Sequence, residues 1–390
     1  SNLSDGRMAK AKSGDWWRNE GHRALANNSV AYTEKPDFEA FLSEMHTMYE
    51  SKAGERGIFS RVAAQKVAAR NGRRDAEQDF GTNPCSEIIL RSNQFCNLSE
   101  VVIREGDTLA SLKKKVETAA IIGTLQATLT DFRYLRNLWK RNTEEEALLG
   151  LSMTGIMDHP TLGNSSDKTK QWLEELKEVA ITTNKIWAEK LGIAQSVAIT
   201  CVKPSGTVSQ LVDSASGIHP RFSKQYIRRV RSDKKDPLAV FMENKGFPVE
   251  QDVMSPASAV FSFPVKAPEK SVTVAEVGAM QQLELWKTYQ NHWCEHKPSI
   301  TVYYTDSEFL QVAQWIWDNF EICSGISLLP VSDHVYQQAP YEDISIEKYN
   351  ELLAAMPQGV SWEDLENFEQ EDNTTGSQEL ACTGGACEIV

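Results

Sequence analysis

At 390 residues, with 41% hydrophobic and 24% charged side chains, the chain has ordinary globular composition and the length to bury a large core, which excludes a disordered polymer. A formal net charge of -13 and a sequence pI near 5.2 exclude general polyanion binding, so a nucleotide is expected here only as a small ligand and nucleic acid is not a partner. No apolar run approaches the roughly 20 residues that span a bilayer, no signal pattern opens the chain, and the seven cysteines are odd in number and scattered. A cytoplasmic, reducing setting is expected, with thiols used for catalysis, redox or packing.

In chain order, Ser1 to Asp5 reads as the end of an element with nothing before it, so the chain is expected to be truncated or split. Asn28 to Thr33 and Gly57 to Phe59 are short strand candidates, each followed by helix-like sequence. Leu109, Leu112, Val116, Ala119 and Ala120 recur at helical spacing, as do Trp172, Leu176, Val179, Thr183, Ile186 and Trp187 before Gly192. Ser196 to Val202 is a β-branched run of the kind found in buried parallel strands. The same alternation continues with a helix through Met280, Leu283, Trp286 and Tyr289, a strand over Ile300 to Tyr304, a helix over Phe309 to Phe320 and a strand over Ile326 to Leu329. This is the α/β rhythm, without internal repeats. From about Gln358 acidic residues crowd the sequence, so 1-358 reads as the catalytic portion and 359-390 as a flexible acidic tail carrying Cys382 and Cys387.

The chemistry concentrates in three places. Asn83-Pro84-Cys85-Ser86-Glu87, with Cys96 close behind, sets two thiols and a carboxylate in a loop where Pro84 disfavours regular helix; a buried thiol and a capping acid are the plain alternative. Cys382 and Cys387, on a glycine-rich chain end with no core to fill, suit thiol–disulfide exchange by a carrier that reaches into a site and out again. A zinc half-site needs a second pair, which is missing. Lys203-Pro204-Ser205-Gly206-Thr207-Val208-Ser209 follows the strand that ends at Val202 and opens a helix, where N–H groups, the hydroxyls of Ser205, Thr207 and Ser209 and the bare backbone of Gly206 suit a phosphate; plain helix capping is the alternative, and the P-loop ending is absent. His292, Cys294 and His296 read as core and rim residues rather than metal ligands, Cys201 and Cys323 as packing, and His219 as either a ligand contact or a turn residue.

With these motifs in place, the chain resembles the adenosylcobalamin-dependent, class II ribonucleotide reductases, and among them the monomeric triphosphate-reducing type. Ala26 to Tyr32, Gly54 to Phe59, Ser216 to Pro220, Tyr226 to Arg231, His292 to Ser299 and Ser332-Asp333-His334 add to the resemblance, which covers nearly all of the chain. It implies an α/β fold that is part of a ten-stranded α/β barrel of two half-barrels, with a central finger loop around 81-100 and the first strands lacking. It also implies adenosylcobalamin as cofactor, a ribonucleoside tri- or diphosphate as substrate, and a thioredoxin-like reductant. In these terms Cys85 matches the cysteine oxidised to a thiyl radical, Glu87 the general base, Asn83 a substrate hydrogen-bonding partner and Cys96 one of two reducing thiols. Ser205, Gly206, Thr207, Val208 and Ser209 match the substrate phosphate site, and Cys382 with Cys387 the redox shuttle.

Two departures stand out. The family partner of Cys96 precedes the radical cysteine, and no cysteine here precedes Cys85, so a companion N-terminal reductase chain is expected. Ser86 stands where the family more often has glycine, and serine after an insertion point is a requirement of some inteins, so the gene is expected to be interrupted there. The rival readings are a thiol oxidoreductase or transferase working without a radical, a barrel-completing assembly fragment without activity alone, and a metal-radical reductase with the same cysteine and acid.

Overall fold

The computed structural model describes residues 2–13, 22–23, 28–52, 54, 56–253, 255–331 and 338–369, the backbone of 382–383 and 386–387, and for Thr207 the backbone only. Ala26, Asn27 and Ser332-Asp333-His334 from the motifs above lie outside the described residues, as do the side chains of Cys382 and Cys387.

The strands, in chain order, are β1 (Ser29–Tyr32), β2 (Gly57–Ser60), β3 (Gly81–Thr82), β4 (Ile89–Leu90), β5 (Asn97–Val102), β6 (Leu149–Thr154), β7 (Gln225–Asp233), β8 (Val249–Gln251), β9 (Ser258–Lys266), β10 (Ile300–Tyr304), β11 (Ile326–Pro330), β12 (Tyr341–Asp343), β13 (Cys382–Thr383) and β14 (Ala386–Cys387). One row of neighbours runs through most of the chain. β5 pairs β6 in parallel, Leu151 of β6 bridges Thr200, Val202 bridges Pro298 just ahead of β10, and β10 pairs β11, all parallel. At Ile326↔Ile58 the direction reverses, and beyond it β2 and β1 are again parallel.

The expected 196–202 strand is therefore parallel and buried, but it forms as isolated bridges rather than a continuous ladder. Its place is held from the side: Trp293 Nε1 donates to the Cys201 carbonyl at 2.8 Å, and the Glu295 carboxylate accepts from the Ile199 N–H at 3.0 Å. β6 is buried at every position, as befits a strand with neighbours on both edges and cover on both faces.

Helices close over this row. The Leu109–Gln126 helix starts at a Thr108 and Ser111 capping box and buries Leu112, Val116, Ala119 and Ala120 at helical spacing. Its Gly123 faces β6 so closely that an added Cβ would lie 3.1 Å from Leu149. The Asp167–Leu191 helix is capped by Ser166 and ends at Gly192 with φ of 69°, the left-handed stop that glycine adopts without penalty. It packs between the Leu109–Gln126 and Ala279–His292 helices. Trp286, Tyr289 and Trp293 from the last of these join Ile58, Val30, Leu149 and Leu151 in one contiguous core.

A second, antiparallel sheet of order β12-β7-β9-β8 was not evident from the sequence. The acidic segment expected from 359 begins differently from expectation. Trp362 stacks on Phe241 and Phe247 with ring centroids 5.5 and 5.9 Å apart, Phe368 meets Phe241 at 5.4 Å, and Lys245 pairs Asp364 at 2.6 Å, so residues 359–369 are docked on this unit. Ring contacts of the half-exposed Trp362 and partial burial of Val360, Leu365 and Phe368 hold the segment there despite its acidic composition. No helix among the described residues is long and apolar enough to cross a membrane.

Candidate active site

Residues 83–88 form the tip of a hairpin whose two strands, β3 and β4, pair Gly81↔Leu90 and Thr82↔Ile89. The finger is thus narrower than the 81-100 span expected from sequence, since β5 from Asn97 already belongs to the strand row. Asn83 organises the tip. Its carbonyl accepts from the Ser86 N–H and its Oδ1 from the Ile88 N–H, both at 3.0 Å, while Thr82 Oγ1 donates to the Ile88 carbonyl at 3.0 Å. The Asn83 amide nitrogen makes no hydrogen bond among the described residues.

The tip is seated in the row. The Ile89 N–H donates to His296 Nδ1 at 3.2 Å, His296 Nε2 donates to the Leu149 carbonyl at 2.9 Å, and the Lys297 N–H donates to the Glu87 carbonyl at 3.1 Å. Burial holds the His296 imidazole neutral, with a pKa lowered to about 3, so it serves as a fixed tautomer bridging the finger to β6. Ser86 has φ of +64°, the region glycine favours, which is the physical reason a glycine suits this place. Gly325 faces it: a Cβ at Gly325 would stand 3.2 Å from the Ser86 carbonyl oxygen, and its own φ is +76°.

Cys85 is half-buried beside exposed Pro84, and Glu87 is fully buried. Glu87 Oε1 accepts from Lys203 Nζ at 3.1 Å, while Oε2 is buried and has no partner among the described residues. Burial pulls the Lys203 ammonium down, but Glu87 and the thiols of Cys201 and Cys85 outweigh it and raise its pKa, so the charge is retained. Cys96 Sγ lies 3.3 Å from where a Cβ on Gly150 would be, so Gly150 makes room for it. Burial, then Glu87, pushes the Cys96 thiol well up, while Arg74 and Lys203 oppose the shift. Cys96 is consequently a protonated thiol at neutral pH.

Asn83, Cys85, Glu87 and Cys96 are thereby brought to one patch, and Lys203 ties that patch to the serine-rich turn. The Lys203 N–H donates to Ser152 Oγ at 2.8 Å, and two residues on, Ser205 begins the Gly206–Leu211 helix with φ of 55° and without a side-chain cap bond. Its hydroxyl instead donates to Glu100 Oε2 at 2.5 Å. Ser209 Oγ is buried against Ser216 Oγ at 2.7 Å and the Gly206 carbonyl at 2.9 Å, so this hydroxyl holds the turn together rather than standing open to a ligand. Val208 is half-exposed.

The 216–220 loop belongs to the same unit. A Cβ at Gly217, φ +54°, would lie 2.2 Å from the Lys203 carbonyl oxygen, so only glycine lets the two loops meet. His219 is a turn residue here: Nδ1 donates to the Ser216 carbonyl at 3.0 Å, Nε2 accepts from the Thr301 N–H at 2.9 Å, and burial lowers its pKa to about 4.

His292, Cys294 and His296 diverge. His292 meets Glu174 at 2.7 Å, Cys294 is buried in the core and His296 spans the finger and β6. Cys201 and Cys323 are fully buried. At the chain end, β13 and β14 set Cys382 directly opposite Cys387 in antiparallel register.

Sequence reasoning took Lys203 only as the start of the serine-rich motif and missed its pairing with Glu87, and it missed Lys297 and the carboxylate at Ser205, Glu100. The available signal was a lysine directly after or before an apolar strand, at Val202-Lys203 and Lys297-Pro298, where a solvated cation is out of place.

No family model matches the chain. It is similar to an adenosylcobalamin-dependent ribonucleoside-triphosphate reductase of Lacticaseibacillus paracasei, 27% identical over 94% of this chain and 53% of the relative. Reductases of the same name from Euglena gracilis, 28% identical over 86% of this chain and 46% of the relative, and Lactobacillus leichmannii, 27% identical over 94% and 53%, are likewise similar. A crystal structure of a B12-dependent, class II ribonucleotide reductase shares the fold with a TM-score of 0.73 at 23% identity, over 96% of this chain and 55% of that one. The chain spans about half the length of the curated relatives it matches. Its mixed α/β fold is that of the class II reductase structure, and along nearly all of its sequence it is similar to the adenosylcobalamin-dependent ribonucleoside-triphosphate reductases.

Proposed function

We propose that this chain is the catalytic part of an adenosylcobalamin-dependent ribonucleotide reductase, working in the cytoplasm with an N-terminal portion that completes a ten-stranded barrel. The observation that carries the reading is the seating of Cys85 at the tip of a hairpin beside a fully buried Glu87, with Cys96 in the same patch. The strand row, with its reversal between β11 and β2, supports two half-barrels joined at that line.

Bound adenosylcobalamin supplies the radical that oxidises Cys85. Half-burial of this thiol next to exposed Pro84 fits a reactant approaching the tip from outside the packed core. On the protein side, Cys85 takes the ribose 3′ hydrogen and Glu87 accepts the 3′-hydroxyl proton, aided by an Oε2 with no competing partner. Asn83, whose Oδ1 is engaged by the backbone, offers its amide nitrogen to the substrate. Cys96 supplies one reducing equivalent. The Ser205 to Ser209 turn receives the substrate phosphates through backbone N–H groups and the hydroxyl of Thr207, the Ser205 and Ser209 hydroxyls being engaged within the protein. Cys382 and Cys387, opposed in register and so about 4.5–5.5 Å apart at Cα, have the spacing of a disulfide and act as the shuttle to a thioredoxin-like reductant.

The rival thiol-exchange enzyme would use Cys85 and the terminal pair without any radical, and so would work without adenosylcobalamin. The test is reconstitution with the N-terminal half of a relative and a ribonucleoside triphosphate. Deoxyribonucleotide formed only when adenosylcobalamin is added supports the proposal, whereas product formed only with an iron-containing subunit contradicts it.

A further inference from the structure

The hairpin that carries Cys85 is held at its base as well as at its tip, and the base converges on one carboxylate. Glu146 is buried at the end of the Asn137–Glu146 helix, just ahead of β6. From the chain entering the hairpin, Arg74 grips it with two bonds, Nε to Oε1 at 3.2 Å and Nη2 to Oε2 at 2.7 Å. The same guanidinium lies 4.6 Å from the ring centre of buried Phe80, which precedes β3. From the chain leaving the hairpin, Gln94 Nε2 donates to Glu146 Oε2 at 2.7 Å, while Gln94 Oε1 accepts from the Arg91 N–H at 2.9 Å, next to the end of β4. Arg91 Nε stands 3.7 Å from Glu146 Oε1. The Glu146 carbonyl accepts from the Val197 N–H at 3.1 Å, which anchors the residue to the strand row. The C-terminal end of a helix carries partial negative charge and disfavours an acid, and a buried carboxylate is costly without partners. The helix does not account for Glu146, whereas the two stems do.

We propose that Glu146 is a positioning residue for Cys85: its carboxylate clasps both stems of the hairpin to each other and to the start of β6, and so fixes where the tip and its thiol stand. This deepens the reading of Cys85 as the reactive thiol and rests on it for its functional meaning, while the clasp itself is a property of the chain alone. The hairpin ladder consists of the pairs Gly81↔Leu90 and Thr82↔Ile89, and so short a ladder does not hold its own direction. The tip is pinned by the Ile89 N–H on His296 and the Lys297 N–H on the Glu87 carbonyl. Without the clasp, each stem becomes a hinge below those pins. A misplacement of about 1 Å at a reacting atom costs on the order of 10²-fold in rate, so a clasp at the base serves the chemistry at the tip. A carboxylate suits the task, since its two oxygens meet a guanidinium fork and still accept from an amide. Glu146→Gln keeps the shape but turns an N–H towards Arg74 or Gln94, and that stem loses its acceptor.

The experiment measures hydrogen exchange across the Gly81 to Leu90 hairpin and the rate at which iodoacetamide alkylates Cys85, read on its own peptide by mass spectrometry. The proteins compared are wild type, Glu146→Gln, Gln94→Met, these two combined, and Glu44→Gln. The last breaks a different buried pair, Glu44 with Arg56 at 2.7 Å, and reports general loosening. Both readings are expected to rise about tenfold or more in Glu146→Gln, as loss of a hydrogen bond to a charged group implies. They rise in Gln94→Met as well, rise no further in the combined variant, and stay at wild-type values in Glu44→Gln. Unchanged readings in Glu146→Gln, additive effects in the combined variant, or an equal rise in Glu44→Gln overturn the proposal. Near-UV circular dichroism checks each fold. If Glu146→Gln fails to fold, Gln94→Met and Arg74→Lys, each of which frees one stem, must both raise the two readings, and wild-type values in either overturn the proposal. Deoxyribonucleotide formation is not read, so failure here is distinguishable from failure of the functional reading.

Discussion

Glu87 illustrates how much a single buried carboxylate depends on partners far away in sequence. Lys203, its direct counter-ion, lies 116 residues on, and no local motif connects the two. Cys85, Glu87 and Cys96 were legible because loop chemistry is written in adjacent residues, while the cations that hold the charge come from other strands and were not. Removing Lys203 leaves a carboxylate with no water and no direct partner. We expect Lys203→Met to lose about 3 kcal/mol of stability at pH 7, at the low end for a broken buried pair because Lys203 is 27% exposed. Urea denaturation checks this. For the same reason Glu87→Gln, which cannot accept the proton, is expected to lower turnover by about 10²–10⁴-fold.

The buried bases give the stability a defined pH dependence. An unfolded imidazole takes a proton near pH 6.5, whereas His219 resists until about 4 and His296 until about 3. Both stay neutral in the folded chain, so stability is undiminished above about pH 6.5 and falls as pH drops from there towards 4, at most about 1.4 kcal/mol per pH unit for each ring. Lys297 acts in the alkaline range: its unfolded amine keeps a proton up to about 10.5, the folded one only to about 7, so its own contribution rises between those values, while the buried Cys96, Cys201, Cys294 and Cys323 thiols, whose pKa burial raises, contribute in the opposite sense as pH passes about 9. Denaturation midpoints across pH 4 to 10 test both limbs. His296→Leu should flatten the acid limb and Lys297→Met the alkaline one.

Among the elements, helices and parallel strands with strong apolar periodicity were readable, and β10 falls on the expected Ile300 to Tyr304. The antiparallel β7–β9 pair was not, because Arg228, Arg229 and Arg231 interrupt the alternation in a strand whose burial pattern is irregular. The terminal nitrogens of Arg229 donate to the Ala339 carbonyl and to Glu342, partners that only the folded chain supplies. The docking of 359–369 was hidden for the reverse reason: two aromatics among many acids decide the structure while composition reads as solvated. Trp362→Ala should release this segment, seen as faster hydrogen exchange over 359–369 with the exchange of β6 unchanged. The finger depends on a contact of the same kind. Gly325→Ala places a methyl 3.2 Å from the Ser86 carbonyl oxygen at a left-handed φ, and should lower stability by about 1–2 kcal/mol and change the alkylation rate of Cys85.

At the scale of the molecule, the strand row runs from β5 to β1 with the finger seated against its middle, at β6, Lys297 and Gly325. In the proposed function that arrangement serves Cys85 as the reactive centre. The α/β rhythm made the class of fold legible, but the row itself was not, since it depends on which strands neighbour one another, and that is fixed by packing across distant segments. The most direct measurement is electron paramagnetic resonance on the chain combined with its N-terminal portion, adenosylcobalamin and a ribonucleoside triphosphate, in wild type and in Cys85→Ser. The account predicts a cofactor-dependent radical signal in wild type that Cys85→Ser abolishes together with deoxyribonucleotide formation. An undiminished signal and product in Cys85→Ser would contradict it.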